Sequence, residues 1–163
     1  ENKQMKKALV IIALIAMVVV PVAAKKSVGA IGLEAGAPSG ITFNYDLEDK
    51  WDGYATVGFG FVGGQYIDVV IGGQYKVDDF KIDKAKFDVN VGLQAGADIF
   101  LGESSGFAIT VRGTASVSYD FKIKDVGDFT TYLRLAGGVG IGLGNEVNIF
   151  PSWVAALGLV YHI

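Results

Sequence analysis

The residues Phe107-Ala-Ile-Thr-Val-Arg-Gly-Thr-Ala-Ser-Val-Ser-Tyr-Asp-Phe-Lys-Ile123 alternate between two characters along their whole length. Phe107, Ile109, Val111, Gly113, Ala115, Val117, Tyr119, Phe121 and Ile123 form an apolar series. Ala108, Thr110, Arg112, Thr114, Ser116, Ser118, Asp120 and Lys122 form a polar or small one. Side chains of a strand point to opposite faces in turn, so a period of two held this long specifies a β-strand with one apolar face.

The same parity continues on both sides. Phe129, Leu133, Leu135, Val139, Ile141 and Leu143 oppose Thr130, Tyr132, Arg134, Ala136, Gly138, Gly140 and Gly142. Upstream, Phe87 to Leu101 carries its apolar residues at odd positions against Asp88, Asn90, Gly92, Gln94, Gly96 and Asp98. Turn signals fall at 38–40, 48–53, 63–64, 83–84, 102–106, 124–128 and 145–151. These breaks divide the chain into eight strands, expected near 27–37, 40–47, 53–62, 65–82, 85–101, 106–123, 128–144 and 152–163. Parity flips near Asp78 and Asp79, where a β-bulge would absorb the extra residue.

Composition bounds the remaining choices. The 163 residues suit one domain; 51% are hydrophobic, only 19% are charged, and mean hydropathy is +0.41. With no cysteine, disulfides and thiolate metal sites are excluded. A net charge of −3 argues against nucleic acid as a partner. No cofactor or metal is expected.

The N-terminus reads as an export signal. Met5-Lys6-Lys7 is basic, Ala8 to Val20 is unbroken apolar sequence, and Val22-Ala23-Ala24 after Pro21 offers small residues for cleavage. The apolar run is short of the ~20 residues of a spanning helix, so a cleaved signal helix is expected over residues 1–24. Glu1 to Gln4 would then lie upstream of the start, and the barrel domain would occupy 25–163. Cleavage would remove Glu1, Lys3, Lys6 and Lys7 and make the net charge more negative by two.

Alternating strands permit two barrels, one apolar inside and one apolar outside. Three features favour the second, a transmembrane barrel. The polar face is small, with Gly58, Gly60, Gly72, Gly92, Gly96, Gly138, Gly140 and Gly142 on it, as the narrow interior of an eight-stranded ring demands. Aromatics gather near strand ends: Tyr45, Tyr54, Tyr75, Phe87, Tyr119, Phe129 and Tyr161 toward one rim, Phe61, Tyr66, Phe107 and Trp153 toward the other, with Tyr54 and Tyr66 off the register of the apolar face. Such levels suit membrane interfaces. Finally, Gly158-Leu-Val-Tyr161-His-Ile163 resembles the C-terminal signal by which barrel-assembly machinery recognises outer-membrane proteins; Gly158, Tyr161 and Ile163 carry that likeness.

With these features the chain resembles the OmpA/OmpX-type family of small outer-membrane β-barrels. Ala30-Ile-Gly-Leu-Glu-Ala-Gly-Ala-Pro-Ser-Gly-Ile-Thr-Phe-Asn-Tyr45 is similar to the Gly-rich first hairpin of many such barrels. The resemblance implies an up-and-down antiparallel transmembrane barrel in the outer membrane, both termini in the periplasm, and a side-chain-plugged lumen. The loops on the far side are short, which weakens an adhesin or receptor reading.

Inside their strands Glu34, Asp68, Asp98, Arg112 and Arg134 fall on the polar parity. Asp68 is expected opposite Asp98, with Arg112 a diagonal neighbour of Asp98. Close carboxylates need a cation, and Arg supplies a permanent one. The cluster reads either as a structural salt-bridge plug or as a gate or proton-linked site. His162 is the lone histidine and lies far from Ser104 and Ser105, so enzyme activity is not expected. The glycines at 138, 140 and 142 follow no strand–helix unit and do not read as nucleotide-binding; they leave room for a lumen side chain such as Tyr132 or Arg134. The expected protein is a monomeric envelope barrel. Its alternatives are a narrow passive pore and a soluble periplasmic carrier with an apolar interior.

Overall fold

The computed structural model describes residues 28–60, 65–101, 106–143 and 147–163. The expected signal segment lies outside them, as do Phe61, Ser104 and Ser105. Eight strands follow in order: β1 (Val28–Gly36), β2 (Ser39–Glu48), β3 (Trp51–Gly60), β4 (Tyr66–Ile82), β5 (Ala85–Phe100), β6 (Gly106–Ile123), β7 (Gly127–Leu143) and β8 (Val147–His162). Each pairs antiparallel with the next, and β8 returns to pair with β1, closing the ring. The described residues contain no helix.

The register fixes the ring's stagger. Glu34 lies opposite Gly40, and the partners run on through Gly58, Asp68, Asp98, Ala108, Gly142 and Asn148. Extending the β1–β8 register sets Asn148 opposite a position ten residues beyond Glu34. Closure with such a stagger tilts the strands by ~40° from the barrel axis.

Parity now has a direction. On β6, Thr110, Arg112, Thr114 and Ser116 are buried, Thr110 completely, whereas Val111 is 54% exposed. The polar series fills the lumen and the apolar series faces out. Leu93 (68% exposed), Leu133, Leu135, Val139, Leu157 and Leu159 belong to the same outer surface. The apolar-interior arrangement is therefore not the one this sequence adopts.

At the rim carrying the C-terminus, outer aromatics join into a belt. Phe80 stacks on Phe87, which meets Tyr119; Phe121 links Tyr119 to Phe129, and Phe129 meets Tyr161. Trp51 and Tyr75 continue it across β3 and β4 at 5.1 Å between ring centroids. The bulge expected near Asp78 and Asp79 falls at Val77, between Lys76–Asn90 and Asp78–Val89. It returns Phe80 to the outer face opposite Phe87. Two expected belt members belong elsewhere: Tyr54 and Tyr66 sit at even positions and are buried in the lumen. The other rim shows no comparable ring chain among the described residues; Phe59 and Trp153 are exposed there.

One boundary differs substantially. The expected turn over 145–151 is largely strand, since β8 begins at Val147 and Pro151 pairs with Val139. Proline lacks the N–H a central strand needs. Ala155 turns its carbonyl toward β1, where it accepts from Ala37 N at 3.2 Å. Backbone direction alternates, so Pro151 faces the same side. There β1 has already ended, and no ladder bond is lost. Residues 147–154 thus have β7 partners but none on the β1 side among the described residues. Over that length the wall steps down by ~20 Å from β8 to the β1–β2 hairpin.

Candidate lumen site

The five lumen charges expected as one network divide into two clusters at different heights. The lower one starts from the row Glu34–Gly158–Tyr132, neighbours across β1, β8 and β7. Arg134 is on the same face of β7 as Tyr132, and its guanidinium donates to the Glu34 carboxylate. Tyr132 Oη donates to the same Glu34 oxygen. The guanidinium carbon lies 3.8 Å from the centroid of the Tyr54 ring and 5.0 Å from that of Tyr132. A cation over ring faces is attracted by their quadrupole. Tyr54 Oη in turn donates to Gln94 Oε1 at 2.8 Å. All five side chains are buried, and together they fill the cross-section.

Glycine makes that filling possible. Tyr54 is paired with Gly72, Tyr132 with Gly158 and Phe150 with Gly140, and a Cβ on any of these glycines would strike the facing ring. Gly158, expected as part of a C-terminal signal, also has this local duty. Tyr161 of the same segment joins the belt, and Ile163 is exposed, its N–H donating to Gly29 O at 3.0 Å. Contrary to expectation, the 138–142 glycines do not make room for Tyr132 or Arg134; Gly140 and Gly142 face Phe150 and Asn148 instead.

The upper cluster holds Asp68, Asp98 and Arg112. Asp68 is opposite Asp98, as expected. Arg112 is not a diagonal neighbour of Asp98: Asp98 faces Ala108, and Arg112 faces Gln94. The long guanidinium still reaches along the lumen, leaving Nη2 3.8 Å from Asp98 Oδ2, while Nε donates to Ser152 Oγ at 2.8 Å. Both oxygens of Asp68, Asp98 Oδ1, Thr110 Oγ1 and Arg112 Nη1 are buried without a hydrogen-bond partner.

Below the lower cluster lies a polar vestibule of about 250 Å3 toward the belt rim. There His162 Nε2 is 2.6 Å from Thr130 Oγ1, which donates to Asp120. Lys76 pairs with Asp88 at 2.6 Å. Sequence reasoning missed Tyr54, Gln94 and Ser152 as lumen partners. Gln94 and Ser152 carry the right parity but no charge, and Tyr54 resembled a belt aromatic.

No family model, no curated protein and no solved structure matches this chain. The ring, its polar lumen and its apolar exterior therefore carry the functional reading.

Proposed function

We propose that this chain is an integral β-barrel of a bacterial outer membrane with a structural, envelope-associated role, kin to the small eight-stranded barrels it resembles. The observation that carries this reading is the orientation of the closed ring, with polar residues buried in the lumen and aliphatic residues exposed above an aromatic belt. In water such an exterior is a large aggregation-prone surface. In lipid it is the expected face, because along the paired length of the ring the ladder N–H and C=O groups are satisfied between strands. From Tyr119 up to Ile109 the outer face of β6 covers ~25 Å, the height of the apolar band of such barrels.

The layer of Glu34, Arg134, Tyr132, Tyr54 and Gln94 supports a plugged lumen rather than a passive pore. The short connection 37–38, on the rim opposite the C-terminus, leaves little to display for adhesion. Export through a cleaved signal, insertion by barrel-assembly machinery and life as a monomer complete the proposal. The deciding experiment is refolding from urea in buffer and in phosphatidylcholine vesicles. Folding that requires vesicles, with retention after carbonate extraction, supports the reading. A folded, water-soluble monomer without lipid overturns it.

A further inference from the structure

Among the described residues the upper lumen is open. One cavity of about 1360 Å3 reaches Tyr66, Asp98, Phe100, Arg112, Phe150 and Ser152 inside the ring. It also reaches Gly137, Trp153 and Ala155 on the outer face of β7 and β8. Its lining includes Gly36 and Ala37 at the end of β1 and Ser152 to Ala155 of β8, the two sides of the step where residues 147–154 overhang the β1–β2 hairpin without a partner among the described residues. Beside this step the outward residues of β8 are Ile149, Pro151 and Trp153, with Ile149 and Trp153 about three-quarters exposed. The opening thus faces the surface that the proposed function places in lipid.

We infer that this cavity is a binding site for an alkyl chain bearing an ammonium head, entered sideways from the membrane between β8 and the β1–β2 hairpin. The chemistry follows from its two parts. Tyr66 and Phe100, 5.4 Å apart at their centroids, and the Phe150 ring offer apolar contact inside the mouth. The floor is charged and incompletely paired. Asp98 and Arg112 are each more than nine-tenths buried and line the cavity, yet Asp98 Oδ1 and Arg112 Nη1 lack partners. Arg112 is held off Asp98 by its commitment to Ser152. Both oxygens of the adjacent Asp68 are also unpartnered. A buried polar group without a partner is costly, so a ligand that supplies donors here gains what the protein lacks. Three unpartnered carboxyl oxygens stand against one unpartnered guanidinium nitrogen, so the floor lacks donors, and this selects a head rich in N–H donors over a carboxylate. Gly96 packs against this floor: a Cβ there would strike Thr110 Oγ1 at 2.6 Å and come within 3.3 Å of Asp68 Oδ1.

The inference rests on the membrane reading, so its test separates the two. Isotope-labelled protein in phosphatidylcholine nanodiscs is titrated with dodecylammonium spin-labelled on its chain, and with the matching dodecanoate. The site predicts saturable broadening of the Thr110, Arg112 and Ser152 amides by the ammonium compound, at least tenfold weaker for the carboxylate and for Asp98→Asn. Equal action of the two heads, or no lumen broadening, overturns it. The head-group comparison uses the unaltered protein and stands even where Asp98→Asn does not fold. Chain-labelled phosphatidylethanolamine gives a further arm: broadening of the same amides assigns a lipid head as the amine's source, and its absence assigns a free amphiphile. Leu133 and Leu135 report the other question. If chain-labelled phosphatidylcholine leaves them sharp, the membrane reading itself has failed. If it broadens them while the lumen stays silent to ammonium, only the site has.

Discussion

Placing arginine at successive outward positions of one strand measures depth directly. Thr131, Leu133 and Leu135 share the outer parity of β7 above Phe129 of the belt. Leu135 lies about six residues from Phe129, which at ~3.3 Å per residue and a tilt of ~40° is ~15 Å above belt level. For an apolar band ~25 Å tall this is within a few ångströms of its middle. Thr131, about two residues from the belt, is ~5 Å above it. Arginine facing lipid costs ~2–4 kcal/mol at the midplane and ~0–1 near an interface. Leu135→Arg and Leu133→Arg, both within a few ångströms of the middle, should therefore each lower the folding equilibrium by roughly 30- to 1000-fold, and Thr131→Arg by little. The assay is reversible urea unfolding in vesicles, followed by the fluorescence of Trp51 and Trp153. Equal costs at the three depths, or no cost at Leu135, which is 55% exposed, would refute the placement of this face in lipid.

Other outcomes follow from the lumen and the hairpin tip. Arg134→Ala leaves Glu34 buried and unpaired and should cost ~3–5 kcal/mol, whereas Glu34→Gln with Arg134→Met should cost clearly less; a double variant as unstable as the single one contradicts the plug's description. Gly158→Ala forces a methyl into the Tyr132 ring and should cost ~1–3 kcal/mol, with Tyr132→Leu recovering part of that loss in a double-mutant cycle; strict additivity would count against it. On the exposed β4–β5 hairpin, the hydrogen bond from Lys86, 2.7 Å from Asp79, holds the Asp79 carboxyl below its ordinary pKa. Its small stabilisation is present above the ordinary carboxylate range and fades as pH falls through the lowered value. Lys86→Met should move the Asp79 titration midpoint upward by NMR, and an unmoved midpoint would deny the pair.

Period-two alternation carries most of the fold because each strand here has chemically distinct faces: Thr110 against Val111, or Arg134 against Leu135, leaves one register open. The bulge at Val77 was legible for the same reason, since the parity of Phe80 and Ile82 breaks against that of Val69 and Ile71. What stayed hidden depends on neighbours rather than on a strand's own pattern. Pro151 reads as a loop residue because sequence does not show that β1 ends before reaching it. Tyr54 is off the apolar register yet reads as a belt residue, because the room for its ring comes from Gly72 on another strand. The Asp68–Asp98 pair follows from register, but Arg112 reaches Asp98 along the lumen, and the length of a side chain across a curved wall has no signature in spacing.

The ring-over-glycine pairs have a consequence for how relatives of this chain can diverge. In each of the rows Tyr54–Gly72, Tyr132–Gly158 and Phe150–Gly140 the lumen admits one ring and no second side chain. Replacing only one member either overfills the row or empties it. The permitted change is an exchange, with the aromatic moving to the neighbouring strand and the glycine crossing in return. Homologous barrels should therefore drift by swapping the members of a row, leaving each row's volume the conserved quantity while the identity at either single position varies.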